Sequence, residues 1–168
     1  NTKLGHLIQI FAFVLKGKPV AGAIFNPFTK ELFYGAKGIG AYKNKHKIKI
    51  SVKKPEQALF SVSFAGKRYF SQAERKREFL EFGRVNDGTM GCLRTGSAAL
   101  NLAYCAQGSF GGCWGKANKW WDVAAGLLLV ELAAGDVNWR FLKKDKWLVE
   151  YSAGNLPFYK KTDEKKSK

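Results

Sequence analysis

The chain has 168 residues, of which 46% are hydrophobic and 25% charged, with a formal net charge of +16, which is typical of one soluble globular domain with a basic surface. The apolar content is too high for an intrinsically disordered chain, and no apolar run reaches the roughly 18 residues that a membrane helix needs. The three cysteines, an odd number without C-x-x-C spacing, favour a reducing, cytoplasmic setting.

The first third of the chain predicts an antiparallel meander of β-strands. A dense β-branched and aromatic run at residues 7–16 is typical of a buried strand, and residues 18–27 form its predicted hairpin partner. Two short strands follow within residues 31–44, and residues 47–51 alternate as a further strand. The glycine-rich stretch 35–40 lies between predicted strands, so hairpin glycines are a better interpretation than a phosphate-binding loop.

The rest of the chain predicts alternating strands and helices. Strands are expected around residues 58–65 and at 89–93, 109–114, 136–139 and 147–154. Helices are expected at 71–82, 95–108 and 121–135, with a last short helix at 156–161. The helix at 121–135 is apolar around almost its whole circumference and should be buried between two layers. Together these elements predict an α/β fold in one domain over residues 1–161, followed by a disordered basic tail at 162–168.

The segment TGSAAL at 95–100 is the first candidate for a binding role. Small residues and a hydroxyl open a helix there, so the amides of Ser97 and Ala98 are placed to hold an anion at the helix N-terminus. The alternative is that Thr95 or Ser97 only caps the helix, while the alanines allow close packing.

Asp122, at the start of the apolar helix, is the second candidate. A carboxylate beside an apolar helix in basic surroundings is a suitable oxygen donor for Mg²⁺. The alternative is an N-cap aspartate flanked by two packing tryptophans. His6 and His46 form no recognisable catalytic pair, and Cys105 is predicted to pack on a helix of small residues.

The positive charge suggests anionic partners, but the distribution of the basic residues argues against nucleic-acid binding as the first interpretation. Six of the 29 basic residues are arginine, whose bidentate fork serves specific phosphate and base recognition. The lysines spread from Lys3 to Lys168 instead of forming one block. A solvated basic surface is the favoured interpretation and steering of an anionic substrate the next, with nucleic acid kept as an open alternative.

The chain resembles the inositol monophosphatase family of Mg²⁺-dependent phosphatases in four segments, which are GKPVAGAIFNP (17–27), ELFYGAKGIGAYKN (31–44), RTGSAALNLAYCAQG (94–108) and WDVAAGLLLVELAAGDV (121–137). The last two match the family's second signature, a helix that starts G-[ST]-A-A-L followed by W-D-x-A-[AG]-G. The resemblance extends from about Leu4 to Asn155 and covers the C-terminal part of the family's length.

The resemblance implies a layered sheet-and-helix sugar-phosphatase fold and a hydrolase of phosphate monoesters that uses Mg²⁺. The substrate class is a small phosphorylated polyol or a related metabolite. Position by position, Asp122 matches a metal ligand, while Arg94, Gly96, Ser97 and Ala98 match residues of the substrate site. The resemblance also implies a homodimer in the intact protein, while the lack of a long apolar run argues against a membrane partner.

Two positions depart from the family pattern at the substrate site. Gly115 stands where the family has a glutamate that contacts inositol, and Leu93 replaces the first arginine of an Arg-Arg pair. Both departures argue against inositol phosphate itself as the substrate.

The family's N-terminal metal motif has no counterpart in this sequence. Family members carry a metal-binding glutamate and then Asp-Pro-[Ile/Leu]-Asp-Gly-Thr, and a gapless alignment places Asn1 at the threonine of that motif. We therefore expect a C-terminal fragment. Among the 13 acidic residues only Asp122 matches a family metal ligand, so we expect the chain alone to be inactive.

Two further functions stay open at this point. One is a non-catalytic basic module of the same fold that binds nucleic acid or a protein partner. The other is a structural protein that oligomerises through a face left exposed where the family's N-terminal region would pack.

Overall fold

The computed structural model describes residues 8–64, 69–143 and 145–155. Within these ranges the chain forms two five-stranded sheets and three α-helices. The strands are β1 (Gln9–Leu15), β2 (Lys18–Asn26), β3 (Glu31–Ala36), β4 (Gly40–Lys43), β5 (His46–Lys47), β6 (Leu59–Ser63), β7 (Gly91–Leu93), β8 (Gly112–Lys119), β9 (Asp136–Leu142) and β10 (Asp145–Gly154). The helices are α1 (Gln72–Asp87), α2 (Ala98–Ala106) and α3 (Trp120–Leu132).

The first sheet is an antiparallel meander in the order β1-β2-β3-β4-β5, as the sequence predicts. The glycine-rich stretch 35–40 forms the hairpin between β3 and β4, which confirms that interpretation. The predicted strand at 47–51 is wrong, because β5 ends at Lys47. Beyond it the amide of Ile50 donates to the carbonyl of Ala133 at 3.1 Å, so the backbone here is bound to the end of α3 instead of to a strand.

The second sheet has the order β7-β6-β8-β10-β9. β6 is parallel to both β7 and β8, whereas β10 is antiparallel to β8 and β9. The larger hydrophobic core contains residues from both sheets and from α2 and α3, which therefore lie between the sheets. A smaller core forms between α1 and the other face of the second sheet. The layers run sheet, helices, sheet, helix, which confirms the layered α/β expectation.

α3 is the central element of the molecule, and the prediction of its burial is confirmed. Nine of its 13 residues are buried, because its sequence is apolar on every side. The fully buried leucines 127–129 each contribute roughly 1.5–3 kcal/mol through removal of apolar surface from water. α3 also lies very close to α2 at Gly126, where an added Cβ would stand 2.5 Å from the Cβ of Leu102.

The ends of several elements differ from the predicted ones. α1 begins at a capping box, in which the Ser71 amide donates to the Glu74 carboxylate at 2.7 Å, and it extends to Asp87 instead of ending at residue 82. β8 runs on to Lys119, five residues beyond the predicted end at 114. His6, the predicted helix at 156–161 and the predicted tail lie outside the described residues. Within the described ranges, no helix is both long and apolar enough to cross a bilayer.

The predicted burial of the first strand is wrong. Phe11, Phe13 and Leu15 are 64%, 54% and 55% exposed, whereas Ile10 and Ala12 on the opposite face pack against the core. Alternate side chains of a strand point to opposite faces, and the described residues cover only one of these two faces. The outer face of β1 is therefore both apolar and exposed.

We expect this outer face to cause self-association of the chain. The double substitution Phe11→Thr/Phe13→Thr keeps β-favouring side chains but removes both aromatic rings, and sedimentation velocity should show less concentration-dependent association than in the unmodified chain. Phe28→Thr is the matched control, because Phe28 is 63% exposed in the turn after β2. Equal association of the double variant and the unmodified chain would contradict the prediction.

Candidate functional site

Three parallel strands end at the same edge of the second sheet, namely β6 at Ser63, β7 at Leu93 and β8 at Lys119. We refer to this edge as the carboxyl edge. In open sheets with parallel strands, ligands bind outside the carboxyl ends at the point where the connections pass to opposite faces. That condition is met here, because α1, which follows β6, and α2, which follows β7, pack on opposite faces. The segment 94–98 follows β7 and Asp122 follows β8, so both candidates of the sequence stand at this edge.

The segment 94–98 forms the turn from β7 into α2. The exposed Arg94 places its guanidinium carbon 5.6 Å from the ring centre of Phe64, just beyond the end of β6. Gly96 has φ +93°, a conformation that favours glycine. Ser97 is the N-cap of α2, and its Oγ accepts a hydrogen bond from the amide of Leu100 at 3.3 Å. The capping interpretation of Ser97 is therefore confirmed.

The amide of Ser97 does not extend beyond the helix end as the anion-site interpretation requires. It donates to Oγ1 of Thr95 at 3.4 Å, inside the turn. Contact of Gly96, Ser97 and Ala98 with a substrate stays a prediction. Because the Ser97 amide is already bonded within the turn, such contact depends on the remaining polar groups of the segment.

A hydrogen-bonded chain ties this turn to the end of β6, and sequence reasoning missed it. Thr95 Oγ1 donates to Asn101 Oδ1 at 2.5 Å, and Asn101 Nδ2 donates to Ser63 Oγ at 3.5 Å. Asn101 is fully buried in α2, where a polar side chain is stable only when it is hydrogen-bonded. A lone asparagine in the apolar run of this helix is the sequence signal from which such a tie could have been predicted.

Ser97→Ala is expected to lower the free energy of unfolding by about 1 kcal/mol, because the Leu100 amide loses its cap. Urea denaturation followed by circular dichroism measures the change. Ser97→Asn should stay close to the unmodified chain, because asparagine caps a helix equally well. Equal losses in the two variants would show that the cap does not stabilise α2.

Asp122 is the third residue of α3, and its predicted alternative as an N-cap is wrong. The N-cap is Lys119, which makes no side-chain capping bond. A carboxylate in the first turn is favoured by the helix dipole. Burial raises the pKa of Asp122, and the charge of Lys119 opposes that rise. Of the two neighbouring tryptophans predicted to pack, Trp120 does so, whereas Trp121 is exposed.

The described residues do not form a complete metal site. They contain no group of three or more acidic, histidine or cysteine side chains placed to hold a metal ion. Mg²⁺ requires near-octahedral oxygen coordination. The carboxylate of Asp122 has the chemistry of one such ligand, but the described part of the chain does not fit Mg²⁺ by itself.

The space beside Gly115, where the resemblance expects a glutamate, is filled. An added Cβ would collide with Asn118 Oδ1, and it would lie 2.8 Å from Tyr151 Cε1 and 3.1 Å from Ser63 Cβ. Burial raises the pKa of Tyr151 well above its usual range, so its hydroxyl is neutral at physiological pH. Neutral polar groups therefore stand where the resemblance predicts a carboxylate.

The histidine and cysteine predictions have simple outcomes where the structure describes them. His46 is exposed on β5. Cys92, Cys105 and Cys113 are all buried and outside any disulfide, which confirms the packing role of Cys105 on α2.

Comparison with known proteins gives consistent matches. Residues 10–155 match the family model described as the inositol monophosphatase family. The chain is 33% identical over 130 residues to an inositol-1-monophosphatase of Rhizobium meliloti, a match that covers 77% of this chain and 48% of the relative. It is 37% identical over 135 residues to a Nus factor SuhB of Xylella fastidiosa, covering 79% and 47%.

A solved structure shows the same fold. The extragenic suppressor protein suhB of Bartonella henselae superposes with a TM-score of 0.78 at 30% identity, covering 90% of this chain and 58% of that one. The chain spans about half the length of the curated relatives named above.

Proposed function

The chain belongs to the inositol monophosphatase family, and on that premise we propose that it is part of a Mg²⁺-dependent phosphatase that hydrolyses phosphate monoesters. One observation carries the proposal. The segment 94–98 follows β7 and Asp122 follows β8, on the two sides of β6, so both lie at the carboxyl edge, where sheets of this kind bind ligands.

Each group at this edge has a role in the proposal. The exposed guanidinium of Arg94 attracts the anionic substrate, and the turn formed by Gly96, Ser97 and Ala98 contacts its polar groups. Asp122 would be one oxygen ligand of Mg²⁺, which needs further oxygen ligands besides those that the described residues offer. A bound metal ion would supply charge stabilisation for the phosphoryl group and the leaving oxygen.

The substrate in this proposal is a small phosphorylated polyol or a related metabolite. The neutral groups of Asn118 and Tyr151 beside Gly115 support a substrate other than inositol phosphate itself, because no carboxylate can occupy that space without displacing them.

Phosphate release by the intact protein tests the proposal. The panel contains inositol 1-phosphate, fructose 1,6-bisphosphate, glycerol 2-phosphate and adenosine monophosphate, each with Mg²⁺ and with a chelator. We expect release from at least one compound with Mg²⁺ and none with the chelator. Absence of Mg²⁺-dependent release from the whole panel would reject the proposal.

A cytoplasmic homodimer completes the proposed picture of the intact protein. The burial of all three cysteines outside disulfides agrees with a reducing compartment. Sedimentation equilibrium of the intact protein and fractionation of its host cells test the two parts of this statement separately.

Nucleic-acid binding is the second candidate function. It is favoured by the net charge of +16. Binding of a labelled single-stranded RNA at increasing salt tests it, because the release of counterions makes such affinities fall steeply. An RNA that fails to bind even at low salt would rule this function out.

A further inference from the structure

A group of aromatic rings and lysines lies next to Asp122. Trp121 and Trp147 are 55% and 47% exposed, and their ring centres are 6.1 Å apart. The ammonium of Lys119 lies 5.6 Å from the ring centre of Trp121 and 5.9 Å from that of Tyr69. The ammonium of Lys146 lies 5.4 Å from the ring centre of Trp147. We name these five residues the tryptophan platform.

The platform is held in place by the hairpin between β9 and β10. Asp145 at the start of β10 forms an ion pair with Lys119 at 3.2 Å and accepts a hydrogen bond from the amide of Trp147 at 2.8 Å. Leu148 pairs with Lys119 in the sheet, so Trp147 stands beside the end of β8. On the β9 side, residues 146–148 lie in an irregularity of the register between the pairs Asp145–Leu142 and Val149–Phe141, where the Asp145 carboxylate holds the backbone of Trp147.

Exposed tryptophan faces next to ammonium groups have a specific binding chemistry. An indole offers a flat π-surface on which another planar ring stacks, and lysines add attraction for an anion. Lys119 forms the ion pair with Asp145 and also offsets the charge of the neighbouring Asp122. Lys146 adds a second ammonium group beside the exposed ring of Trp147. Lys119 is the last residue of β8 and Trp121 lies in the first turn of α3, so the platform adjoins the carboxyl edge.

We propose that the tryptophan platform binds the planar aromatic group of a phosphate ester whose phosphate lies at the carboxyl edge. A nucleoside monophosphate is the simplest molecule with both features. The inference rests on the proposed phosphatase function and narrows its substrate class to phosphate esters with an aromatic ring. A small molecule fits better than a nucleic acid strand, because the platform offers one pair of exposed indole rings and one of its two lysines is already paired with Asp145.

Calorimetric titration of the protein with three probes tests the inference. Adenosine monophosphate has the ring and the phosphate, ribose 5-phosphate lacks the ring, and adenosine lacks the phosphate. We expect adenosine monophosphate to bind at least about tenfold more tightly than ribose 5-phosphate, a ratio that corresponds to about 1.4 kcal/mol. Adenosine should also bind more weakly than adenosine monophosphate.

Three variants connect that preference to the platform. Trp147→Leu should remove most of the tenfold preference, and Trp147→Phe should keep most of it because phenylalanine retains an aromatic face. Phe28→Leu is the control, since it removes an exposed aromatic ring outside the platform, in the turn after β2. Near-ultraviolet circular dichroism confirms that each variant is folded before titration.

The outcomes separate this inference from the function on which it rests. Equal binding of adenosine monophosphate and ribose 5-phosphate, or an unchanged preference in Trp147→Leu, overturns the proposal that the platform binds an aromatic ring. Much tighter binding of an oligoadenylate, with a steep salt dependence, also overturns it in favour of nucleic acid. A preference that depends on Trp147 supports the platform even if the intact protein releases no phosphate from any ester, a result that rejects only the phosphatase.

Discussion

Asp122→Asn is expected to lower the kcat/KM of the intact protein for Mg²⁺-dependent phosphate release by at least about 100-fold. A metal ion contributes several kcal/mol of charge stabilisation in the transition state, and about 2.7 kcal/mol corresponds to that factor. Asparagine keeps the size of the side chain but removes the charge that attracts the cation. Initial rates of phosphate release at saturating and limiting Mg²⁺ measure the loss.

A second readout separates metal binding from catalysis. The exposed indole of Trp121 is the chain neighbour of Asp122, so its fluorescence should report on cation binding, and the Mg²⁺ titration should weaken in Asp122→Asn. Asp136→Asn is the matched control, because Asp136 is an exposed aspartate at the opposite edge of the sheet. It pairs with Gly154, which in turn pairs with the first residue of β8, whereas Asp122 follows the last residue of β8. Unchanged rates and unchanged Mg²⁺ affinity in Asp122→Asn would remove this residue from the metal site.

The fold elements that could be predicted are those specified by their own local pattern. α3 is an example, since a helix that is apolar on every side has to lie between two layers wherever its partners come from. The meander of β1 to β4 is another, because turn residues separate apolar runs of strand length. Neither conclusion needs knowledge of a distant contact.

The errors occur where a distant part of the chain decides the outcome. The apolar composition of β1 predicts burial on both faces, but burial depends on what packs there, and the described residues cover only one face. Residues 48–51 alternate like a strand, yet the Ile50 amide is bound to the end of α3. Such partners lie far away in sequence, so periodicity does not contain this information.

The candidate site, like the fold, could be predicted only in part from the sequence. Asp122 and the segment 94–98 were found through the spacing of a family signature, which places both after strands of one sheet. The tryptophan platform was missed, because it unites residues from the β8 end and from the β9–β10 hairpin that only the sheet register brings together. Tryptophans in an apolar stretch also suggest packing by default, and Trp121 departs from that default.

Gly126→Val is expected to destabilise the chain by about 3 kcal/mol, because this glycine lies against Leu102 of α2 without room for a side chain. A Cβ at Gly126 would stand 2.5 Å from Leu102 Cβ and 2.9 Å from its Cδ1, so either helix would have to move within a tightly packed core. The cost is a large fraction of a typical domain's stability of about 5–15 kcal/mol. Urea denaturation of the purified variant, followed by far-ultraviolet circular dichroism, measures it.

The control for this prediction is a glycine in a helix with space around it. An added Cβ at Gly83 in α1 has no neighbour within 4 Å, so Gly83→Ala should stabilise the chain by about 0.5–1 kcal/mol through reduced backbone entropy alone. A loss of stability in Gly126→Val together with a gain in Gly83→Ala would show that contact with Leu102, and not helix propensity, requires a glycine at position 126. If Gly126→Val unfolds at the same urea concentration as the unmodified chain, then the close approach of α2 and α3 is not a requirement of the fold, and the small residues of the signature need another explanation.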